Sequence, residues 1–540
     1  MNEYKRLVSI FDALGPVMTG PSSSHTAGMA RIGKIARILL GGTPEHIELY
    51  FYGALAVTYK GHFSDSAIVA GLLGMDEDAP DIAKALDIAR DKGITISYRL
   101  ERDSDKDPNT VAMFLSREQN NLHIEASSIG GGEILVSGVD EFPVSLKGDE
   151  DGLMLVASEF LNDDEIISLF EGNLIDIQYY KSEIDAQKKL IKCLSKEPLP
   201  LSLIERLKNV TVIEKVYPLK NILGYKLIDH EPLFSTIEGF LQYSFSKGIS
   251  LPEAVIHYEM KRSGVSRDYI VQKLENIWKT INQSVKEGLS GNRKLIASFV
   301  PSDDPIRMLN WVKGGHSLSG DVIGNAIANA LAAMVTNGSL GCVVAAPTAG
   351  SCGVLAGALI AVAEKLHAQE TEIRDSLLVG AMIGALVAMR APVSGAMGGC
   401  QSEIGVASAM AAASLVQLAG GTARQVVHAF ALAMKNILGL VCDPVGGPVE
   451  IPCIKRNAIG VVAAFAGADM ALAGIESAIL PDEVITALVN VQKLVPFELR
   501  GSMLGGLAST PTADMLKERW LNMISNEIFP NKYKRGVFLS

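Results

Sequence analysis

Beyond about residue 225 the alternating apolar–polar rhythm of β-strands almost disappears, and this change limits the architecture more than any other feature. In its place come helical patterns rich in Ala, Gly, Leu and Val, broken by short turns that contain Gly or Pro. Small residues at this density let helices approach with little side chain between them, so closely packed, buried helices are expected. A membrane bundle would share that composition. However, the uncharged run Ser376 to Met389 is closed by Asp375 and Arg390 after 14 residues, too few to span a bilayer. The later stretch A-I-G-V-V-A-A-F-A-G-A-D-M-A-L-A-G is interrupted by Asp469.

The first part of the chain has a different pattern. Arg31 to Leu40 reads as a helix ended by Gly41-Gly42, and I-E-L-Y-F-Y-G from Ile47 alternates like a strand. From Ala67 the pattern is helical again, and I-T-I-S-Y-R-L-E and N-N-L-H-I-E-A-S-S-I are strand-like. Residues 1–147 are therefore expected to form an α/β domain. Residues 148–222 read β-α-β-β-α-β, the ferredoxin-like order, with Cys193 as a small core thiol. Residues 223–540 complete an α+β multidomain chain as a large all-helical domain.

Bulk properties remove some function classes. The net charge of -11 argues against a nucleic-acid partner and gives no attraction to an anionic membrane. The start M-N-E-Y-K-R-L-V-S-I-F-D lacks the apolar core and cleavage site of a secretory leader. Six cysteines in 540 residues are too sparse for a disulfide scaffold. A cytoplasmic protein is expected.

Three segments could carry chemistry. In the first, V-C-D-P-V-G-G-P-V-E-I-P-C-I-K-R-N, prolines and glycines forbid a continuous helix between Cys442 and Cys453. Cys400 lies in another break, S-G-A-M-G-G-C-Q-S-E, where glycines let the backbone approach closely. Neither the C-x-x-C pairs of zinc sites nor a fourth nearby thiolate is visible. Spacing alone leaves inert buried thiols and metal ligands both open. The second segment is T-G-P-S-S-S-H-T-A-G from Thr19. Its hydroxyls lead into a helix N-terminus, which would suit a carboxylate, although one serine could serve only as a cap. The third, T-Y-K-G-H-F-S-D from Thr58, gathers Lys60, His62 and Asp65. A histidine titrating near neutrality suits proton transfer, and it can equally be structural. Two further turns, A-A-P-T-A-G-S-C-G with Thr348 and S-L-S-G-D from Ser317, could be ordinary caps.

Taken together, these segments resemble the bacterial iron–sulfur L-serine dehydratases (L-serine ammonia-lyases). G-P-S-S-S-H-T-A-G, Y-K-G-H-F-S-D, D-P-N-T at Asp107 and S-I-G-G-G-E near Ser128 resemble the family's β part. A-A-P-T-A-G-S-C-G, G-C-Q-S-E-I-G and C-D-P-V-G-G-P-V-E-I-P-C-I-K-R-N-A resemble its α part, fused here in the order β then α. The resemblance implies a 4Fe–4S cluster on Cys400, Cys442 and Cys453, with one open iron and no pyridoxal phosphate. It implies dehydration of L-serine to pyruvate and ammonia. It also implies substrate binding by Ser22, Ser23, Ser24, His25, Thr26, Asp65, Asn109 and Thr348. His62 is the first choice for the α-proton base, Lys60 the second, and His25 belongs to the same catalytic set.

The middle unit resembles an ACT domain but lacks the usual Gly-containing ligand turn, so packing or dimerisation is expected of it. A homodimer is expected. L-Cysteine or L-threonine as substrate, and a cluster-bearing sensor without turnover, stay open as alternatives. The final Ser540 offers a carboxylate and a β-hydroxyl, two of serine's three handles, and a self-inhibiting tail is one expectation beside a frayed end.

Overall fold

A computed structural model describes residues 7–528, apart from 102–105, 107–108, 158–162, 171, 186 and 229–230. The Asp107 match and the Ser540 tail lie outside the described residues. The chain forms two compact units. The first is Met1–Thr280 with Cys342–Ala349 and Leu377–Met389; the second is Ile281–Gly341 with Gly350–Ser376 and Arg390–Ser540.

The first unit begins with the short strand β1 (Val17–Thr19). A six-stranded sheet follows, built from β2 (His46–Tyr52), β3 (Thr95–Glu101), β4 (Thr110–Arg117), β5 (Asn120–Gly130), β6 (Glu133–Val139) and β7 (Phe142–Leu146). Its spatial order is β3-β2-β4-β5-β6-β7, and only β2 and β3 run parallel. On β2, Ile47, Leu49 and Phe51 face the core, as the alternation demands. The first four residues of β4 are all buried, which erases the alternation that would have revealed it in the sequence.

Helices Gly28–Leu40 and Ser64–Leu72 contribute to the same core. They meet backbone to backbone: a Cβ on Gly33 would lie 2.1 Å from the Ile68 carbonyl oxygen, and one on Gly71 2.0 Å from that of Ala30. This close crossing holds the turn before Gly28 and the loop before Ser64 in a fixed relation, and both carry candidate site residues.

The middle segment forms its own sheet from β8 (Gly152–Ala157), β9 (Leu174–Lys181), β10 (Lys189–Ser195) and β11 (Ile213–Leu219). Helices Asp163–Leu169 and Leu201–Lys208 complete the expected β-α-β-β-α-β order. The strands are antiparallel in the order β11-β8-β10-β9. One face, with Leu153, Leu155, Ile191 and Cys193, packs under the helices; burial pushes the Cys193 thiol up to about 12. The other face, with Met154, Val156, Leu190 and Tyr217, joins the core of the six-stranded sheet. Both faces are thus occupied by packing.

A last strand, β12 (Cys342–Val344), pairs antiparallel with β1, placing Val17 opposite Val344 and Thr19 opposite Cys342. The Gly15 N–H donates to the Ala345 carbonyl (2.9 Å) and the Ala345 N–H to that of Pro16 (3.1 Å).

The second unit is predominantly helical. Gly320–Gly338, Cys352–Leu366, Val406–Leu418, Ala423–Lys435 and Cys453–Leu472 are its main buried helices. Small residues permit tight crossings here as well: a Cβ on Gly357 would lie 2.4 Å from the Ala326 carbonyl oxygen. Segment Ala349–Leu366 is long and apolar enough to cross a membrane, and 78% of it is buried inside the protein. The uncharged run from Ser376 lies in helix Glu370–Ala388, whose residues from Leu377 onward belong to the first unit, and is buried as far as Val387.

Candidate active site

The hydroxyl-rich segment leaves β1 and coils into a π-helical turn, Ser23–Ala27, which runs straight into helix Gly28–Leu40. Wide turns of this kind are frequent at functional sites. Ser22 caps the turn: its Oγ accepts the His25 N–H (3.2 Å) and lies 3.3 Å from His25 Nδ1. Ser23 Oγ accepts the Ala349 N–H at 3.4 Å, bringing Thr348 and its neighbours to this turn. Ser23, Ser24, His25, Thr26 and Thr348 are all buried. The Thr26 hydroxyl donates to the His62 carbonyl at 2.9 Å. Its proton is therefore committed to fixing the His62 backbone, a different task from the substrate contact expected of it.

Lys60, His62 and Asp65 sit where the short helix Gly53–Thr58 gives way to Ser64–Leu72. Phe63 adopts a left-handed backbone (φ 56°) to make the change of direction, a strained conformation for a bulky residue. The structure pairs the two charged residues with each other. Lys60 Nζ lies 2.5 Å from Asp65 Oδ2, and Asp65 Oδ1 accepts the Ser66 N–H at 2.9 Å. The Lys60 ammonium also stands 5.1 Å and 5.3 Å from the ring centres of Tyr59 and Tyr98. Both Asp65 oxygens are thus engaged inside the protein, and Lys60 has an ion pair in place of an open proton-accepting position. His62 instead faces His25, with ring centroids 4.4 Å apart. Burial first, and then His62, hold the His25 pKa well below its ordinary value, so His25 is neutral.

Asn109 is buried beside the same helix start. Its Nδ2 donates to the Ser128 carbonyl at 3.4 Å, and its Oδ1 has no hydrogen-bond partner among the described residues. Ser128 Oγ would lie 2.5 Å from a Cβ on Gly28, so this strand end abuts the turn.

The cysteines converge in the second unit. Cys400 stands between the short helix Gly395–Gly398 and a second π-helical turn, Gln401–Gly405. Cys442 is held in an extended bridge, its N–H donating to the Leu499 carbonyl (2.9 Å) and its carbonyl accepting from Gly501 (2.7 Å). Cys453 opens helix Cys453–Leu472 directly after Pro452. The ligand atoms of Cys400, Cys442 and Glu403 all lie within 4.8 Å of one another. A hydrogen bond with Cys400 and then burial push the Cys442 thiol well up; burial, Cys400 and Glu403 do the same to Cys453. Arg456 opposes this crowd of acids: its Nη1 lies 3.3 Å from Cys400 Sγ and its Nη2 2.7 Å from Asp443 Oδ1.

Neighbouring thiols that raise one another's pKa give up their protons most readily to a positive group. That donor set fits an iron–sulfur core better than a structural disulfide or inert packing. Cys352 stands elsewhere, buried with its Sγ 3.7 Å from Met334 Sδ. Glu403 was not among the residues expected from the sequence; its signal was its place three residues after Cys400 in G-C-Q-S-E.

Residues 9–138 match the family model "Serine dehydratase beta chain", and residues 246–508 match "Serine dehydratase alpha chain". The "Probable L-serine dehydratase, alpha chain" of Bacillus subtilis (strain 168) is 40% identical over 287 residues, 53% of this chain and 95% of that one. The "L-serine dehydratase" of Helicobacter pylori (strain J99) is 30% identical over 522 residues, 93% of this chain and 98% of its own. That of Haemophilus influenzae is 29% identical over 537 residues, 93% and 99% of the two chains. The chain belongs to the serine dehydratase family, and it carries the β and α parts in one polypeptide.

Proposed function

We propose that this protein is a lyase that removes water from L-serine, giving pyruvate and ammonia. The observation that carries the reading is the convergence of partly buried Cys442 and Glu403 on buried Cys400, to within 4.8 Å of one another, with Cys453 close enough for Cys400 and Glu403 to act on it. Cys400, Cys442 and Cys453 would hold a 4Fe–4S cluster. When bound, such a cluster supplies Lewis acidity at its open iron, which polarises the substrate's β-hydroxyl.

The chain's own residues supply the rest. Ser22, Ser23 and Ser24, with His25, take the substrate carboxylate at the start of helix Gly28–Leu40, where N–H groups and hydroxyls gather. Asn109 and Thr348 flank the same turn and contact the substrate. Neutral His25 can donate one ring N–H without carrying charge. His62 takes the α-proton, and Thr26 fixes its backbone. Lys60 and Asp65 act together as a positioning ion pair. Loss of the α-proton and of hydroxide leaves an enamine, which hydrolyses to pyruvate and ammonia in water.

Further readings accompany this one. The β8–β11 unit is ACT-like and serves packing, in keeping with its two occupied faces. The protein works in the cytoplasm as a homodimer, and sedimentation tests the latter. The central experiment is anaerobic reconstitution followed by a pyruvate and 2-oxobutyrate assay with L-serine, D-serine, L-threonine and L-cysteine. L-Serine is expected to be preferred, with activity lost in air. An active, iron-free, air-stable protein would overturn the proposal.

A further inference from the structure

Glu403 is a carboxylate placed beside the thiols of Cys400 and Cys442. It lies on the π-helical turn Gln401–Gly405, three residues after Cys400. That turn is anchored on several sides. The Gln401 N–H donates to the Leu440 carbonyl (2.8 Å), and Gln401 Oε1 accepts the Gly439 N–H (2.9 Å). Ser402 Oγ accepts from Gln492 Nε2 at 2.7 Å. The backbone that carries Glu403 is therefore held in place. Gly395 makes room for it: a Cβ there would lie 2.6 Å from Glu403 Oε2 and 3.0 Å from Cys442 Sγ.

The positions argue for a shared cation. The ligand atoms of Cys400, Cys442 and Glu403 lie within 4.8 Å of one another, close enough to meet one positive centre. Evolutionary economy aside, a carboxylate beside thiols that must ionise works against ligation unless it also meets the positive charge they bind. A carboxylate oxygen is a harder and more readily exchanged ligand than a thiolate.

We infer that Glu403 is a displaceable fourth ligand, closing the open iron while no substrate is present and yielding it to the serine hydroxyl. This rests on the cluster reading above. The exchange replaces one oxygen donor by another: the bond from iron to the Glu403 carboxylate breaks, one to the substrate oxygen forms, and no electron is transferred. The freed carboxylate stays as an acceptor beside the bound substrate.

Mössbauer spectroscopy of holoenzyme reconstituted with iron-57 tests this. In the wild type one iron is expected to show an oxygen-ligated signature without substrate and to change when L-serine is added. In Glu403→Ala and in the near-isosteric Glu403→Gln, that single iron should already differ in the substrate-free spectrum, and Glu403→Asp should restore part of it. Without substrate, mild oxidation should strip that iron from the Ala variant about tenfold faster, the scale on which metal-site partners act. Identical substrate-free spectra and stripping rates in wild type, Ala and Gln would overturn the inference. So would unchanged spectra with only a raised KM, which would make Glu403 a substrate contact instead. A wild-type protein that binds no cluster would sink the cluster reading itself, whereas a loaded wild type with indifferent Glu403 variants sinks only this inference.

Discussion

The imidazoles of His25 and His62 lie 4.4 Å apart, and the Thr26 hydroxyl between their segments is tied to the His62 carbonyl at 2.9 Å. Two rings this close cannot both carry a proton cheaply, and burial keeps His25 the neutral member. On the proposed function, a proton arriving from substrate would therefore go to His62. His62→Ala is expected to lower kcat by about 10²–10⁴-fold, the range for a positioned base, while iron content stays at the wild-type level. Steady-state kinetics beside an iron assay check it, and near-normal turnover would exclude His62 as the base.

Arg456 binds the site together from one side. Its guanidinium reaches Cys400 Sγ, the Val441 carbonyl (2.8 Å) and Asp443, whose other oxygen accepts the Leu507 N–H at 2.8 Å. Hydrogen bonds to cluster sulfurs raise a cluster's potential. With the proposed cluster bound, Arg456→Gln is expected to lower its reduction potential and weaken iron retention by about 10–100-fold. Arg456→Lys, which keeps the charge but loses the planar fork, should fall between. Potentiometry and iron release to a chelator measure the two effects.

Gly395 lies where no side chain fits. In Gly395→Ala the added methyl would meet both Glu403 Oε2 and Cys442 Sγ. The variant should fold, with a helical circular dichroism spectrum close to wild type, and should take up markedly less iron on reconstitution. Full loading would show that the loop yields without cost.

Lys273 gives a pH dependence from outside the candidate site residues. It lines a 280 Å³ cavity, with its ammonium 4.3 Å from the Tyr225 ring centre and 4.5 Å from that of Phe11. Burial chiefly brings its pKa down from 10.5 to about 8. Below pH 8 both folded and unfolded chains are protonated, and the folded state bears the full penalty. Between about 8 and 10.5 the unfolded chain binds the extra proton, so stability from this group rises with pH. Lys273→Met should therefore stabilise the protein at pH 7, by up to about 3 kcal/mol, and its advantage should shrink by pH 9. Denaturation midpoints at the two pH values decide it; an advantage that grows with pH would refute the assignment.

Much of this was legible beforehand, for reasons that differ by residue. Cys400, Cys442 and Cys453 stand in Gly- and Pro-broken segments that could only be loops or helix starts. The strand and helix order of residues 148–222 followed from period alone. β4 was not legible, because Thr110 to Met113 are buried without alternation. Thr26, Lys60 and Asp65 show a different limit. Residue type tells that a group can form a hydrogen bond or an ion pair, but not which partner takes it, and here protein groups claim all three. Glu403 escaped for the converse reason: an acid within a helical turn looks like ordinary solvated surface until the fold brings a second loop with Cys442 against it.

The pairing of β1 with β12 joins residues 17–19 to residues 342–344, and the Ala349 N–H then reaches Ser23 Oγ. On a ribosome, an N-terminal domain ordinarily folds while the rest is still being made. Here the turn that begins at Ser22 stays unfinished until the chain has grown past Ala349. The nascent protein is thus built with its hydroxyl-rich turn incomplete while the 326 residues that separate Ser23 from Ala349 are added, so translation order itself delays the completion of this turn.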